Sequence, residues 1–299
     1  MYHILPFSGL YFFIIIFSFI IFLHLFKNIL NKIISFKMIL FIAIIIYIYF
    51  CIPHSEKILF FLIYVYGVYW IYVKNKYQST LLPMIIIALP MILHKFDVSP
   101  IFKVIGISYI TFRTIQAMVD SHNYGKLSFI EFTSFLLFPT TLLAGPIDRS
   151  YRFQEDLQKG YENLTFTNIG KGWDILLVGV LFKFIFAECV NKFWLIPIDE
   201  NSVVLLDMIN SAYAYTTYLF FDFAGYSAMA VGLSIMMGIK IPMNFNHPYL
   251  APNPQDFWRR FHITLGSWLT DYFFKPLYKY LHNFNILKGK RLLIQNLAI

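Results

Sequence analysis

The chain has 299 residues, of which 59% are hydrophobic and only 13% are charged, and its formal net charge is +8. Soluble domains usually carry about 25% charged residues, so this composition excludes a globular protein whose whole surface faces water. The basic residues also lack the interleaved stacking pattern that would indicate RNA or DNA binding. Cys51 and Cys189 have neither metal-ligand nor disulfide spacing. The composition therefore predicts an integral membrane protein with no nucleic acid partner.

Long apolar runs predict helices that cross a bilayer, because about 20 apolar residues span its hydrocarbon core. The runs are continuous rather than alternating, which favours helices over strands. Shorter runs are expected to be tilted, broken or re-entrant. We predict an all-α, polytopic transmembrane helical bundle that forms a single integral membrane domain over residues 1–299. The candidate spans are 8–26, 38–52, 57–73, 80–95, 101–119, 129–145, 172–190, 203–221 and 223–239, with another apolar stretch beginning near Leu292.

Two polar stretches interrupt these runs. The first, residues 145–172, is expected to be a connecting loop. The second, residues 240–260, contains four prolines, which preclude one continuous helix. Residues 257–280 mix Trp, His, Asp and Arg with apolar residues, and this mixture predicts a helix that is buried in protein or lines a cavity.

Several ionisable or polar residues fall inside the predicted spans, where each is a candidate functional position. Arg113, Gln116 and Asp120 recur on one helical face. That face could line a polar path or pack against neighbouring helices. Lys183 and Glu188 are expected to form structural pairs with other helices.

Asp222 interrupts a very apolar region close to Gly225. This pattern predicts either a broken helix beside a cavity or a helix cap. Charged groups at membrane depth, here Asp222, Lys183 and Glu188, also leave a transporter or channel as an alternative function.

His262 stands out among the eight histidines. Trp258 lies four residues before it, and in one helix the two side chains would share a face. Histidine can exchange a proton near neutral pH, so both a catalytic role and a hydrogen-bonded core role are open. The other histidines form no ligand-spaced cluster, and nucleotide, zinc-protease and serine-hydrolase motifs are absent from the sequence. We therefore predict no bound metal or cofactor.

Four stretches, which together cover most of residues 100–275, resemble the membrane-bound O-acyltransferase (MBOAT) family. They read Gly-Ile-Ser-Tyr-Ile-Thr-Phe-Arg over 106–113, Phe-Pro-Thr-Thr-Leu-Leu-Ala-Gly-Pro-Ile-Asp-Arg over 138–149, Phe-Asp-Phe-Ala-Gly-Tyr-Ser over 221–227 with Met-Gly-Ile-Lys-Ile-Pro-Met-Asn-Phe-Asn over 237–246, and Phe-Trp-Arg-Arg-Phe-His-Ile-Thr-Leu-Gly-Ser-Trp over 257–268 with Asp271-Tyr272. The resemblance implies an acyltransferase whose helices, some of them re-entrant or broken, form a funnel around a thin central partition.

Within the family, the Gly-Pro-Ile-Asp-Arg and Thr-Phe-Arg runs are most similar to the DltB branch. Members of that branch help to transfer D-alanine to lipoteichoic acid in Gram-positive bacteria. The alginate O-acetyltransferase branch shares the Trp-Arg-Arg-x-His run, so polysaccharide O-acetylation is the alternative. The resemblance thus implies D-alanylation of the cell wall by a multi-pass protein of the cell membrane.

The resemblance also implies the reaction partners. The acyl donor would be a phosphopantetheine thioester on a small acidic carrier protein (DltC-like) at the cytoplasmic face, and the chain itself would bind no cofactor. The acceptor would be teichoic acid on the outer face, with the lipid bilayer and other D-alanylation proteins as further partners. Basic side chains would attract the acidic carrier or the phospholipid headgroups, and the candidates are Arg149, Arg152, Lys275 and Lys279.

The same resemblance assigns site residues. His262 matches the histidine of the family's Trp-x-Arg-x-His segment and would take the proton of the acceptor hydroxyl, with Phe257, Phe261 and the neighbouring tryptophans excluding water. A second family histidine, in a later Gly-x-Trp-His-Gly segment, is regarded as the main catalytic one in the family and has no counterpart up to Ile299. We expect the sequence to be a piece of a full enzyme, the alternative being an inactive, truncated scaffold. Candidates for the cavity or substrate path are Arg113, Gln116, Asp148, Arg149, Asp222, Asn244, Trp258, Arg260, Ser267, Trp268 and Asp271.

Overall fold

The computed structural model describes residues 5–7, 9–75, 80–96, 104–198 and 205–278. Within these ranges every regular element is a helix, and the one pair of residues joined in a β-bridge, Phe245 and Phe261, is isolated. The predicted all-α fold of a helical membrane protein is confirmed. The apolar stretch near Leu292 lies outside the described residues.

Four apolar helices form the amino-terminal part and follow the first four predicted spans. Among the described helices, α1, α3 and the later α10 are long and apolar enough to cross a membrane, whereas α2 and α4 are shorter. Large apolar side chains remain exposed on these helices, as lipid-facing surfaces require. The four are α1 (Leu10–Ile33), α2 (Phe36–Cys51), α3 (Ser55–Asn75) and α4 (Leu81–Lys95).

The next segment contains α5 (Ile107–Tyr124) and the much shorter α6 (Phe129–Leu136). A capping box between Ser128 and Glu131 begins α6. The prediction of one span over 129–145 is wrong, because a 3₁₀ turn over Pro139–Thr141 follows α6 after a two-residue break. Proline restricts the backbone of the residue before it and has no N–H to continue the helix.

The prediction of a connecting loop over 145–172 is wrong, because this polar stretch is largely helical. It contains α7 (Ser150–Asn163), whose buried side chains Phe153, Leu157 and Tyr161 recur every four residues and face the core. The stretch also contains the beginning of α8 (Phe166–Val180). The polarity of this segment reflects the outer face of an amphipathic helix.

The helical path of α8 continues through π-helical turns over Leu181–Ala187, α9 (Glu188–Val190) and further π-helical turns over Asn191–Leu195. It packs against α10 (Leu205–Met236), which has 32 residues. Because α10 runs without interruption, the prediction of separate spans over 203–221 and 223–239 is wrong.

Glycines bring α8 and α10 into backbone contact. A Cβ atom added to Gly172 would lie 2.6 Å from the carbonyl oxygen of Gly232, and one added to Gly225 would lie 2.8 Å from that of Gly179. Such distances leave no space for a side chain, so glycine is needed for the close approach and not for a break in α10. This contact explains why Gly225 lies within a continuous helix.

The carboxyl-terminal described region is broken, as its prolines predicted. A 3₁₀ turn over Pro248–Leu250 precedes α11 (Pro254–Arg260), and α12 (Ile263–Leu269) leads into π-helical turns over Thr270–Phe274. The single helix predicted over residues 257–280 is therefore wrong, because the chain leaves the helical conformation at Phe261 and His262, between α11 and α12.

Two glycines of α8 offer a matched test of the helix contact. Gly172→Ala forces a Cβ atom against the backbone of α10 and should destabilise the protein by about 1–3 kcal/mol. Gly170→Ala adds the same methyl group where no atom lies within 4 Å, and should stabilise α8 by about 0.5–1 kcal/mol. Thermal unfolding in detergent micelles measures both. Equal effects of the two substitutions would contradict the close contact.

Candidate functional site

His262 lies at the junction between α11 and α12, with a left-handed backbone conformation (φ 52°). Non-glycine residues adopt this conformation rarely. The predicted sharing of a helix face by Trp258 and His262 is wrong, because α11 has ended before His262 is reached. Trp258 is 66% exposed and packs on Phe257 and Phe261 instead.

Two backbone hydrogen bonds hold this junction against the segment after α10. The N–H of Asn246 donates to the carbonyl of Arg260 at 3.0 Å, and the N–H of Ile263 donates to the carbonyl of Asn244 at 2.9 Å. They flank the isolated bridge between Phe245 and Phe261. The Pro-rich stretch therefore serves as a frame that fixes Asn244 beside the junction.

The side chain of Asn244 is 1% exposed and occupies the centre of the site. Its Oδ1 atom lies 3.0 Å from Nδ1 of His262, 2.9 Å from Oγ1 of Thr264 and 3.3 Å from the backbone N of Thr264. Its Nδ2 atom lies 3.3 Å from Oγ of Ser227 in α10. Asn244 thus connects α10, the junction and the start of α12 through one buried amide.

Aromatic rings surround His262. The ring of Phe223 meets the imidazole edge-on, with centroids 4.8 Å apart, and Phe245 packs perpendicular to both Phe223 and Phe261. A cavity of about 350 Å³ lies next to this cluster, between α10 and the segment 243–250, and Asn244 is part of its wall. The imidazole is therefore half-buried in apolar surroundings.

The Gly-Pro-Ile-Asp-Arg run also contacts this site, through Thr264. The N–H of Ile147 donates to Oγ1 of Thr264 at 2.9 Å, and Nε2 of Gln116 donates to the backbone carbonyl of Asp148 at 2.7 Å. The hydroxyl of Tyr109 donates to the carbonyl of Gly145 at 2.9 Å. The stretches over 106–113 and 257–268 are thus both hydrogen-bonded to main-chain groups of this run, which belongs to the stretch over 138–149.

Arg113 is 1% exposed, and its two Nη atoms donate to main-chain oxygens. Its Nη1 atom donates to the carbonyls of Phe135 and Leu136 at 3.0 and 3.1 Å, and Nη2 donates to that of Thr141 at 2.7 Å. The last carbonyls of a helix have no partner within it. The guanidinium therefore caps α6 and fixes the 3₁₀ turn, which favours the packing role over the polar path.

A charged cluster lies next to the Gly-Pro-Ile-Asp-Arg run. Asp271 accepts from Arg149 at 2.5 Å and from Lys275 at 2.8 Å, and the Arg149 guanidinium stacks over the ring of Tyr272, 4.9 Å from its centroid. Burial raises the pKa of Asp148 to about 6, against the opposing charge of Arg152, with which it pairs. These cations are thus balanced by carboxylates.

Asp222 lies in the interior of α10 and pairs with Lys183 of the neighbouring π-helical turns. The predictions of a broken helix and of a helix cap at Asp222 are both wrong, since α10 continues to Met236. The predicted structural pairing is confirmed for Lys183. Glu188 is exposed. The pair neutralises both charges, so it provides no support for a transport path.

The remaining predicted site residues lie around the periphery. Arg260 pairs with Asp256 at 2.8 Å, and Ser267 is exposed and donates to the carbonyl of Thr264 at 3.1 Å. Trp268 is 5% exposed and packs on Phe112, with ring centroids 4.8 Å apart. Lys279 lies outside the described residues.

Sequence reasoning missed three members of the site, Ser227, Phe223 and Thr264. Their only signal was position within the family-like stretches, because a lone hydroxyl or phenyl group has no chemistry that marks it in a sequence. No group of three or more potential ligands among the described residues could hold a metal ion.

The fold and the site together define an all-α membrane protein with a buried polar centre at a helix break, where a half-buried histidine is held among aromatic rings. The model of the membrane-bound O-acyltransferase (MBOAT) family matches residues 11–288. The chain therefore belongs to this family, which confirms the resemblance noted in its sequence.

Three curated relatives give the similarity in detail. The chain is 39% identical over 180 residues to a teichoic acid D-alanyltransferase of Bacillus subtilis, covering 57% of this chain and 44% of the relative. It is 32% identical over 245 residues to one of Streptococcus thermophilus, covering 75% and 59%. It is 36% identical over 151 residues to a peptidoglycan O-acetyltransferase of Helicobacter pylori, covering 50% and 29%. The chain thus covers between 29% and 59% of the length of these relatives.

Arg113 and Arg259 form a matched pair for testing the helix-capping role. Arg113→Met leaves three main-chain carbonyls without a donor, at a cost of about 1–3 kcal/mol for each buried group. We expect little folded protein to be recovered. Arg259→Met removes the same charge from an exposed position and should change stability by no more than about 0.5 kcal/mol. Fluorescence-detected size-exclusion chromatography measures folded protein, and normal recovery of Arg113→Met would contradict the capping role.

The ion pair between α10 and the π-helical turns predicts non-additive substitutions. Lys183→Met and Asp222→Leu each leave one charge without its partner, whereas the double variant leaves none. We expect a coupling free energy of about 0.5–3 kcal/mol from the thermal unfolding of the four proteins. Additive losses would show that the two side chains do not interact.

Proposed function

We propose that the chain is part of a multi-pass membrane O-acyltransferase of the cell membrane, which transfers D-alanine from a carrier-protein thioester in the cytoplasm towards teichoic acid on the outer face. Family membership and two relatives named as teichoic acid D-alanyltransferases support this proposal. The observation that carries it is the setting of His262, a half-buried imidazole held by Asn244 and Phe223.

The transfer needs a base beside the acceptor hydroxyl. His262 takes the hydroxyl proton as the oxygen attacks the thioester carbonyl, so that an ester C–O bond forms and the C–S bond breaks. The imidazolium then returns the proton to the departing thiolate. A base of this kind contributes about 10²–10⁴-fold to the rate.

The aromatic shell serves the same reaction by limiting water. A thioester hydrolyses when water competes with the acceptor hydroxyl, so the donor must be held in surroundings that exclude it. Phe223, Phe245 and Phe261 form the apolar side of such surroundings around the imidazole. Trp258, which is 66% exposed, lies outside this shell.

The donor is proposed to be D-alanine on the phosphopantetheine arm of a small acidic carrier protein. Of the basic side chains that could attract it, Arg149 and Arg152 are paired with Asp271 and Asp148. Lys275 also contacts Asp271, but its side chain is 68% exposed. Its charge is therefore the more accessible to an acidic protein or to lipid phosphates. The other partners proposed are teichoic acid and further D-alanylation proteins.

Polysaccharide O-acetylation is the second candidate function, favoured by the relative named as a peptidoglycan O-acetyltransferase. Its chemistry would use the same base and the same exclusion of water. The two functions differ in the acyl group, so ester-linked D-alanine and ester-linked acetate in the cell wall distinguish them.

His262 and His54 allow a matched test of this function. Both have left-handed backbones, with φ of 52° and 54°, and asparagine tolerates that conformation. His262→Asn removes the proposed base and should lower the rate of transfer by about 10²–10⁴-fold, so that cells carrying the intact gene lose ester-linked D-alanine. His54→Asn, at an exposed side chain, should leave it unchanged.

Ester-linked D-alanine is released by mild alkali and quantified per cell, after the amount of each variant in the membrane has been matched. Normal D-alanine content in His262→Asn cells would remove His262 from the mechanism. A loss of acetate with D-alanine unchanged would support O-acetylation instead.

A further inference from the structure

The hydrogen bonds around Asn244 identify its two amide atoms. A backbone N–H can only donate, and the N–H of Thr264 lies 3.3 Å from the atom placed as Oδ1. The hydroxyl of Thr264 already accepts from the N–H of Ile147 at 2.9 Å, and it directs its own proton to the same Oδ1 atom at 2.9 Å. The carbonyl oxygen of the amide, and not its NH₂ group, must therefore face Thr264.

The NH₂ group then points the other way, where it has an acceptor. Nδ2 of Asn244 lies 3.3 Å from Oγ of Ser227, and a serine hydroxyl accepts as well as donates. Both ends of the amide are thus consistent with a single orientation. A flipped amide would place an NH₂ group against the backbone N–H of Thr264, which can only donate.

This orientation decides which nitrogen of His262 carries the proton. An amide carbonyl oxygen accepts but cannot donate. Nδ1 of His262 lies 3.0 Å from it, so Nδ1 must be protonated to form the hydrogen bond. A neutral imidazole has one N–H, and Nε2 is therefore left with a free electron pair.

We propose that Asn244 is a positioning residue, whose carboxamide oxygen holds His262 in the Nδ1–H tautomer and leaves Nε2 as the proton acceptor. The hydrogen bonds from Ile147 to Thr264 and from Thr264 to Asn244 fix the orientation of the Asn244 amide. The Gly-Pro-Ile-Asp-Arg run therefore acts on the site through the backbone N–H of Ile147, at a distance from the imidazole. The catalytic consequence rests on the proposed function, whereas the tautomer does not.

The tautomer matters because the partner of one ring nitrogen determines the state of the other. Without the Asn244 oxygen, the ring would lose the acceptor that favours Nδ1–H, and part of the population would carry its proton on Nε2. That population could not accept a proton from a hydroxyl at Nε2. Removal of Asn244 should thus lower the rate while leaving the aromatic shell in place.

Nitrogen NMR of the full chain in lipid bilayers, with ¹⁵N-labelled histidine, reports the tautomer directly. The signals of His262 are those missing from the spectrum of His262→Asn. We expect the wild-type ring to show a protonated Nδ1 and an unprotonated Nε2. Asn244→Asp keeps an acceptor oxygen and should keep Nδ1 protonated, whereas Asn244→Leu should show protonation at Nε2. A wild-type ring protonated at Nε2, or no change in Asn244→Leu, would overturn the proposal.

Thr264 provides a matched pair that tests how the amide is fixed. Thr264→Val has a similar shape without the hydroxyl, and Thr264→Ser keeps the hydroxyl. We expect Thr264→Val to lower transfer of D-alanine about 10–100-fold with mixed tautomers of His262, and Thr264→Ser to restore both. A merely structural role of Thr264 would lower the amount of folded protein without changing the tautomer. The same tautomer in both variants would refute the role of Thr264.

The two readouts separate the two proposals. Suppose that the Nδ1–H tautomer depends on Asn244, but that cells lacking the protein keep their ester-linked D-alanine. This result would reject the proposed function and retain the positioning role. A loss of D-alanine in His262→Asn with a tautomer indifferent to Asn244 would reject the positioning role alone.

Discussion

The buried amide of Asn244 is the interaction on which the site depends. In apolar surroundings a polar group without a partner costs free energy, so every donor and acceptor near it must be matched. Asn244 meets this requirement for groups of α10, the helix junction and the start of α12 at once. Because these partners come from separate parts of the chain, this one side chain joins them, in addition to the two backbone hydrogen bonds that hold the junction.

The same constraint explains the other buried polar groups. Arg113 supplies donors to carbonyls at the end of α6, and Lys183 neutralises Asp222 between two packed helices. In both cases the charged group has its partners within the described part of the bundle. Membrane depth by itself therefore does not mark a residue as functional, because pairing within the bundle meets the same physical need.

The break between α11 and α12 determines where the imidazole of His262 lies. A continuous helix would have placed His262 on the same face as Trp258, whereas the left-handed residue turns the imidazole towards Phe223 and Asn244. The ring is thereby held by a hydrogen bond on one nitrogen and by aromatic packing. The relatives named as a D-alanyltransferase and as an O-acetyltransferase both have names that describe acyl transfer. Acyl transfer to a hydroxyl group is assisted by a positioned base.

The sequence by itself determined the all-α membrane class and the family resemblance, because composition, apolar length and short motifs are local properties. It failed at the break after Leu136, the continuity of α10 and the helical nature of α7, since helix ends depend on what packs against them. Only the tertiary structure decided that Ile147, Thr264 and Asn244 meet. A hydrogen bond between groups that are far apart in the chain has no periodicity and leaves no pattern in the sequence, so it exists only once the helices have packed.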